Sequence, residues 1–122
     1  MEIKYVSQPE ESKQCGQACL SMITGVPVED ICKELKKYWH TDITKDFIPH
    51  LKKHGFKAKL VSKEFMSFDE IPNNSIIRVC WFNSRGHFIV KYNDIYYDPA
   101  KGLILEYKCF TKINHYIKFS KK

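Results

Sequence analysis

From Cys15 to Thr24 apolar residues recur three and four apart, at Ala18, Cys19, Met22 and Ile23, which predicts a short helix with one buried face and a stop at Gly25. A second helix is predicted from Pro27, a favoured first-turn residue. Glu29 and Asp30 load its N-terminus with negative charge, Ile31, Leu35 and Tyr38 continue a buried stripe, and Lys33, Lys36 and Lys37 face water. A third helix is expected from a Thr44 cap through Phe47, Ile48 and Leu51 to His54, with Gly55 as terminator and Pro49 shifting its start or kinking it. Ahead of the helices, Ile3 to Val6 reads as a short strand. The polar run Glu10-Glu11-Ser12-Lys13-Gln14 reads as an approach loop that delivers Cys15.

After Gly55 the spacing changes to alternation. Phe56, Ala58 and Leu60 stand against Lys57, Lys59 and Ser62, the pattern of a strand with one wet face. Ser75 to Phe82, Gly86 to Tyr92, Asp94 to Tyr97 and Ile113 to Phe119 are rich in Ile, Val, Tyr and Phe. Asn73-Asn74, Asn83-Ser84-Arg85-Gly86 and Asn93-Asp94 separate them, and two of these turns are tight enough for antiparallel hairpins. With no repeat, low-complexity tract or linker, the expected class is α+β in one domain, 1–122. A helical half, about 1–55, packs against an antiparallel β half, about 56–122.

Composition narrows the function classes. The 122 residues are 43% hydrophobic and 28% charged, ordinary globular usage that excludes disorder. No stretch approaches the roughly 18 apolar residues that span a bilayer, and Met1 to Tyr5 begins no signal-peptide core. Five cysteines, an odd number without a disulfide-framework spacing, point to a reducing compartment. The expected location is the cytoplasm, with export as an effector left open. The net charge of +6 raises nucleic acid as a partner, but the lysines are dispersed and the one dense run, Lys118 with Lys121-Lys122, is terminal. No nucleic-acid module is expected.

Cys15 is the residue with chemical promise, because exposed N–H groups and the helix dipole at a helix N-terminus favour a thiolate. A thiol nucleophile needs a base, and a histidine base works better when a carboxylate orients it. His87 begins the apolar strand Gly86-His87-Phe88-Ile89-Val90, and Asp98 ends the next in Tyr96-Tyr97-Asp98-Pro99. If Asn93-Asp94 turns the hairpin, the start of one strand lies beside the end of the other, and His87 and Asp98 become neighbours. Taken singly, each has a plainer use: Cys15 as a buried thiol, His87 as a satisfied strand histidine, Asp98-Pro99 as a turn. Cys15 and Cys19 form a Cys-x3-Cys pair with no second pair to complete a metal site, so Cys19, Cys32, Cys80 and Cys109 read as small core residues. His40, His50, His54 and His115 read as surface or packing residues, and Trp81 and Phe82 as core or as walls of a groove.

Gln8, the run Cys15-Gly16-Gln17-Ala18-Cys19-Leu20 with Met22-Ile23, the strand Gly86 to Val90 and Asp98-Pro99-Ala100 together resemble the papain-like cysteine peptidases that process bacteriocins at double-glycine leaders. The resemblance covers most of the chain. It implies a papain-like fold with Cys15 as nucleophile, His87 as general base and acid, and Asp98 orienting the histidine. It also implies an upstream glutamine that donates to the oxyanion with the Cys15 N–H. Family members place that glutamine six residues before the cysteine; Gln8 is seven before, and Gln14 is an adjacent rival. No cofactor or metal is implied. Having neither the membrane nor the ATP-binding segments of transporter-linked members, the sequence resembles the stand-alone ones.

The implied function is hydrolysis of a peptide bond through a thioester acyl-enzyme, after a Gly-Gly type site. The implied partners are a peptide or protein substrate and an inhibitor or immunity protein. Two further readings keep the same fold: an acyltransferase or effector toxin using the same triad, and a peptide-binding module that does no chemistry.

Overall fold

The computed structural model describes residues 2–80, 86–107 and 113–122. Trp81, Phe82, the Asn83-Ser84-Arg85 part of the predicted turn and Cys109 lie outside the described residues, as does the side chain of Cys80.

Helix α1 (Cys15–Thr24) forms where the spacing predicts it and is closed by Gly25, whose N–H donates to Ser21 O. It is buried from Cys15 to Ile23, not on one face only, because strand packing on one side meets two helices on the other. Helix α2 (Val28–Leu35) is shorter than expected. Pro27 precedes it as cap, and Lys36 turns left-handed at φ 59°, so Tyr38 falls outside the stripe and is exposed.

The third helix starts differently from expectation. Asp42, not Thr44, is its cap, with Oδ1 accepting from the Thr44 and Lys45 N–H groups at 2.9 Å each. A π-helical turn, Ile43–Phe47, then runs into α3 (Ile48–Lys53). Pro49 has no N–H to give the preceding turn, and the widened turn accommodates that loss. Ile3 to Val6 is also not a strand: the segment makes no ladder, although Ile3 enters the core. Its polar groups go instead to the turn after Tyr97, with Tyr5 Oη donating to Asp98 O at 2.7 Å and Gln8 N–H to Pro99 O at 2.9 Å.

The strands are β1 (Phe56–Met66), β2 (Ser75–Cys80), β3 (Gly86–Tyr92), β4 (Ile95–Asp98), β5 (Gly102–Ile104) and β6 (Ile113–Lys121). They form one antiparallel sheet in the order β1-β6-β2-β3-β4-β5. β1 runs four residues beyond the predicted alternation, and β5 has no sequence counterpart among the expected strands. The β3–β4 hairpin turns at Asn93 and Asp94 with φ of 56° and 62°, the type I′ geometry that matches strand twist.

Both faces of the sheet are covered. On the helical side Leu20, Ile23, Phe47, Leu51, Val90 and Phe119 form the larger core. On the other, Ile71, Ile77, Val79, Ile89, Tyr96, Tyr107 and Ile113 pack beneath the short 3-10 turn Phe68–Glu70. The ammonium of Lys91, a residue buried on that face, donates to Phe68 O and Ile71 O at 3.1 and 2.8 Å. No helix among the described residues is long and apolar enough to cross a membrane.

Replacing the cap, Asp42→Ala, is expected to cost about 1 kcal/mol, read as a lower urea midpoint at unchanged slope, since two N–H groups of the turn lose their acceptor.

Candidate active site

Among the described residues helix α1 begins with no side-chain cap and no acid in its first turn, which leaves its first N–H groups open at Cys15. Gly16 follows because the helix is pressed against its neighbours there. A Cβ on Gly16 would overlap the Thr41 hydroxyl and lie 2.9 Å from the Phe47 ring. Phe47 in turn meets Phe88 of β3 edge to face, 4.6 Å between centroids. This packing sets the cysteine end of α1 against the histidine end of β3.

The β3–β4 register pairs Val90 with Tyr97 and Tyr92 with Ile95. Continued by one step, it sets Asp98 across from Ile89, and His87, two residues earlier, is its diagonal neighbour on the same face. His87 Nε2 and Asp98 Oδ1 are 2.7 Å apart in a buried hydrogen bond. Because Nε2 faces the carboxylate, Nδ1 is left for the hydrogen bond between His87 and Cys15.

Asp98 has no solvent exposure. Its carboxylate is satisfied by His87, by the Ala100 N–H at 2.8 Å and by Tyr107 Oη at 3.0 Å. Burial alone raises its pKa, but the His87 hydrogen bond and charge and these other donors overcome that and hold it below the usual carboxylate value. For His87 the balance is similar. Burial alone lowers its pKa, while hydrogen bonds to Asp98 and Cys15, and their charges, carry it up to about 9.

Cys15, His87, Gln8, Ser12, Lys13, His40, Thr41, Arg78, Gly86 and Phe88 line a cavity of about 490 Å³. Its lining is rich in bases. The Arg78 guanidinium lies over Gly86, where a Cβ would come within 2.7 Å of Nη2, so a side chain there would displace the guanidinium. Gln8 reaches this cavity, its Nε2 donating to Ser12 O at 2.9 Å and its Oε1 buried with no partner among the described residues. Gln14 does not line it; its amide donates to Tyr38 O at 3.2 Å.

Several residues at the site were not singled out from the sequence. His40, read as surface or packing, is on the cavity wall. Gln17 is fully buried and donates to Lys37 O and Trp39 O, holding the segment that carries His40 and Thr41. The same segment is tied by Lys37 Nζ and the Asp42 N–H, each 2.7 Å from Asp46 Oδ2. Gln17 stands in the cysteine motif, two residues past Cys15, and that position was its only signal. Tyr107 offered none, since it follows a strand the pattern does not show. Cys19 and Cys32 are free, buried thiols. Cys19 donates to Phe88 O at 3.4 Å, and burial pushes its pKa well up, so it stays a thiol.

Residues 2–106 match the peptidase C39 family. No curated protein matches the chain. Ten solved chains match it in fold. One is the peptidase domain of Streptococcus ComA, a bifunctional ABC transporter involved in a quorum-sensing pathway. It is 16% identical with a TM-score of 0.73, over 99% of this chain and 100% of that one. Another is a double-glycine-motif protease from an AMS/PCAT transporter in complex with the leader peptide, 19% identical with a TM-score of 0.67, over 99% and 93%. The architecture, three helices against a six-stranded antiparallel sheet, is the papain-like arrangement of such peptidase domains.

Titration of the His87 ring by NMR should give a pKa near 9, falling toward 6.5 in both Asp98→Asn and Cys15→Ser. Since the folded value lies above the unfolded one, His87 contributes stability that is complete below pH 6.5 and is lost as the pH rises through about 9.

Proposed function

The chain belongs to the peptidase C39 family of cysteine peptidases, and from that membership we propose that it hydrolyses a peptide bond through a Cys15–His87–Asp98 triad, cleaving after a Gly-Gly type site. The observation that carries the assignment of residues is the buried His87: one ring nitrogen on Asp98 at 2.7 Å, the other hydrogen-bonded to the only cysteine on the cavity wall among the described residues.

In this reading the Cys15 thiolate attacks the scissile carbonyl carbon and its electron pair moves onto the carbonyl oxygen. The Cys15 N–H and the Gln8 amide donate to that oxyanion. The Gln8 nitrogen has two N–H groups; one is held by Ser12 O, which orients the amide, and the other is left for substrate. The His87 imidazolium gives its Nδ1 proton to the departing amine as the C–N bond breaks, leaving a thioester on Cys15. Neutral His87 then takes a proton from water, the hydroxide adds to the thioester, and the tetrahedral intermediate expels the thiolate while the imidazolium is restored. Asp98, acceptor-only and fully buried, holds the ring in one tautomer and stabilises its charge through both halves.

A peptide substrate is favoured by the double-glycine protease that this chain resembles, whose structure holds a leader peptide. The Gly-Gly type site is favoured by the same neighbour, a double-glycine-motif protease.

Limiting iodoacetamide below neutral pH should label Cys15 ahead of Cys32, and the preference should vanish in His87→Ala; equal labelling of the two thiols would remove the proposed nucleophile. In a peptide library, Cys15→Ala should abolish cleavage. Gln8→Ala should lower kcat by about a hundredfold or more at near-constant KM, as for loss of one oxyanion donor. An unchanged kcat would move that role to another group.

A further inference from the structure

Away from the cavity, α2 and the end of α3 bring three metal-ligating side chains together. Glu34 comes from α2, and His50 and His54 come from α3 and the residue that caps it. The histidines are four apart, on one face of the helix. One ligand atom from each of the three lies within 4.8 Å of the other two. His54 Nε2 is 3.0 and 3.3 Å from the two Glu34 oxygens, and His50 Nδ1 is in contact with Glu34 Oε2. The imidazole rings are 4.4 Å apart.

The sequence pattern predicts surface or packing roles for these histidines, and His50 is neither simply packed nor at the surface. Its side chain is wholly buried, with Nδ1 against Glu34 Oε2 and Nε2 without a hydrogen-bond partner among the described residues. Nδ1 is the nitrogen turned to the carboxylate, so it is the one placed to give its lone pair to an ion shared with Glu34. The lone pair of one nitrogen, the second imidazole and the carboxylate are what is on offer.

We propose that Glu34, His50 and His54 form a binding site for a divalent transition-metal ion of the zinc type, which braces α2 against α3. Two imidazoles and one carboxylate are a donor set that Zn²⁺ accepts with a fourth position left for water. At metal–ligand distances of about 2.0–2.2 Å a tetrahedral ion needs donors about 3.4 Å apart, a spacing reached from the present one by small side-chain rotations. Glu34 and His54 are both partly exposed, so the ion and its water have a way in. Lys53 Nζ sits 2.6 Å from Glu34 Oε1, but that side chain is two-thirds exposed and can swing into solvent as the ion takes its place. The site draws on neither Cys15 nor His87, so its occupancy is separable from peptide cleavage.

The test uses the 122-residue chain with Cys15→Ser, which removes the cavity thiol as a competing ligand, stripped with a chelator and titrated with Zn²⁺ against a chromophoric chelator. A single equivalent should bind and raise Tm. The Co²⁺ form should show visible ligand-field bands without a thiolate charge-transfer band. His54→Ala should weaken Zn²⁺ binding about tenfold or more and abolish the Tm rise. Should that variant fail to fold, Glu34→Gln, of nearly equal size, reads the same loss. No uptake, uptake unaffected by the variant that folds, or a thiolate band would each overturn the proposal and leave the cluster an ion-pair network.

Discussion

A carboxylate with no solvent exposure is the constraint on which the rest of this structure rests. Taking the charge of Asp98 out of water costs several kcal/mol unless it is fully paired, and here it is met by an imidazole, a backbone N–H and a phenol. Each of those partners fixes a different part of the chain. His87 requires the β3–β4 register, the Ala100 N–H requires the turn at Pro99, and Tyr107 requires the segment after β5 to fold across the far face. All three favour the charged carboxylate, so the geometry around His87 is an outcome of the sheet's topology as much as of local contacts.

The helical half meets that sheet through a second constraint, steric instead of electrostatic. Gly16 lets α1 approach Thr41 and Phe47 more closely than any side chain would allow, and Phe47 stacks edge-on against Phe88, the residue next to His87. Gln17 and the partly buried Lys37–Asp46 pair hold the loop that supplies the opposite wall. The proposed nucleophile and base therefore come from separate layers and meet because bulk is missing at one position and present at two.

What could be read in the sequence follows from the range of the forces involved. The α1 span and the β3–β4 hairpin are set by residues within a few positions of one another, and the Asn93-Asp94 turn with period-two alternation is enough to put His87 beside Asp98. Ile3 to Val6 has the composition of a strand, but a ladder needs a partner edge, and the chain spends those groups on the turn at Pro99 instead. Asp42, not Thr44, is the cap because the helical run opens with a π-helical turn at Ile43–Phe47, a geometry that propensity alone does not carry. Lys36 ended α2 before Tyr38 by adopting a left-handed conformation, as Asn74 and Asn93 do elsewhere. The meeting of Glu34 with His50 and His54 depends on how two helices cross, which no local pattern encodes.

The strap formed by the N-terminal segment has a consequence in time. Tyr5 and Asp98 are 93 positions apart, and Ser7 and Pro99 are 92 apart. Contacts of such separation close late, because the loop entropy must be met before they form. A ribosome will have released α1, with its cysteine, long before it releases the histidine and the turn that complete the arrangement. During synthesis the emerging chain is therefore a thiol without a base. Whatever peptide chemistry the finished molecule performs is withheld from its own nascent state by the order of its residues.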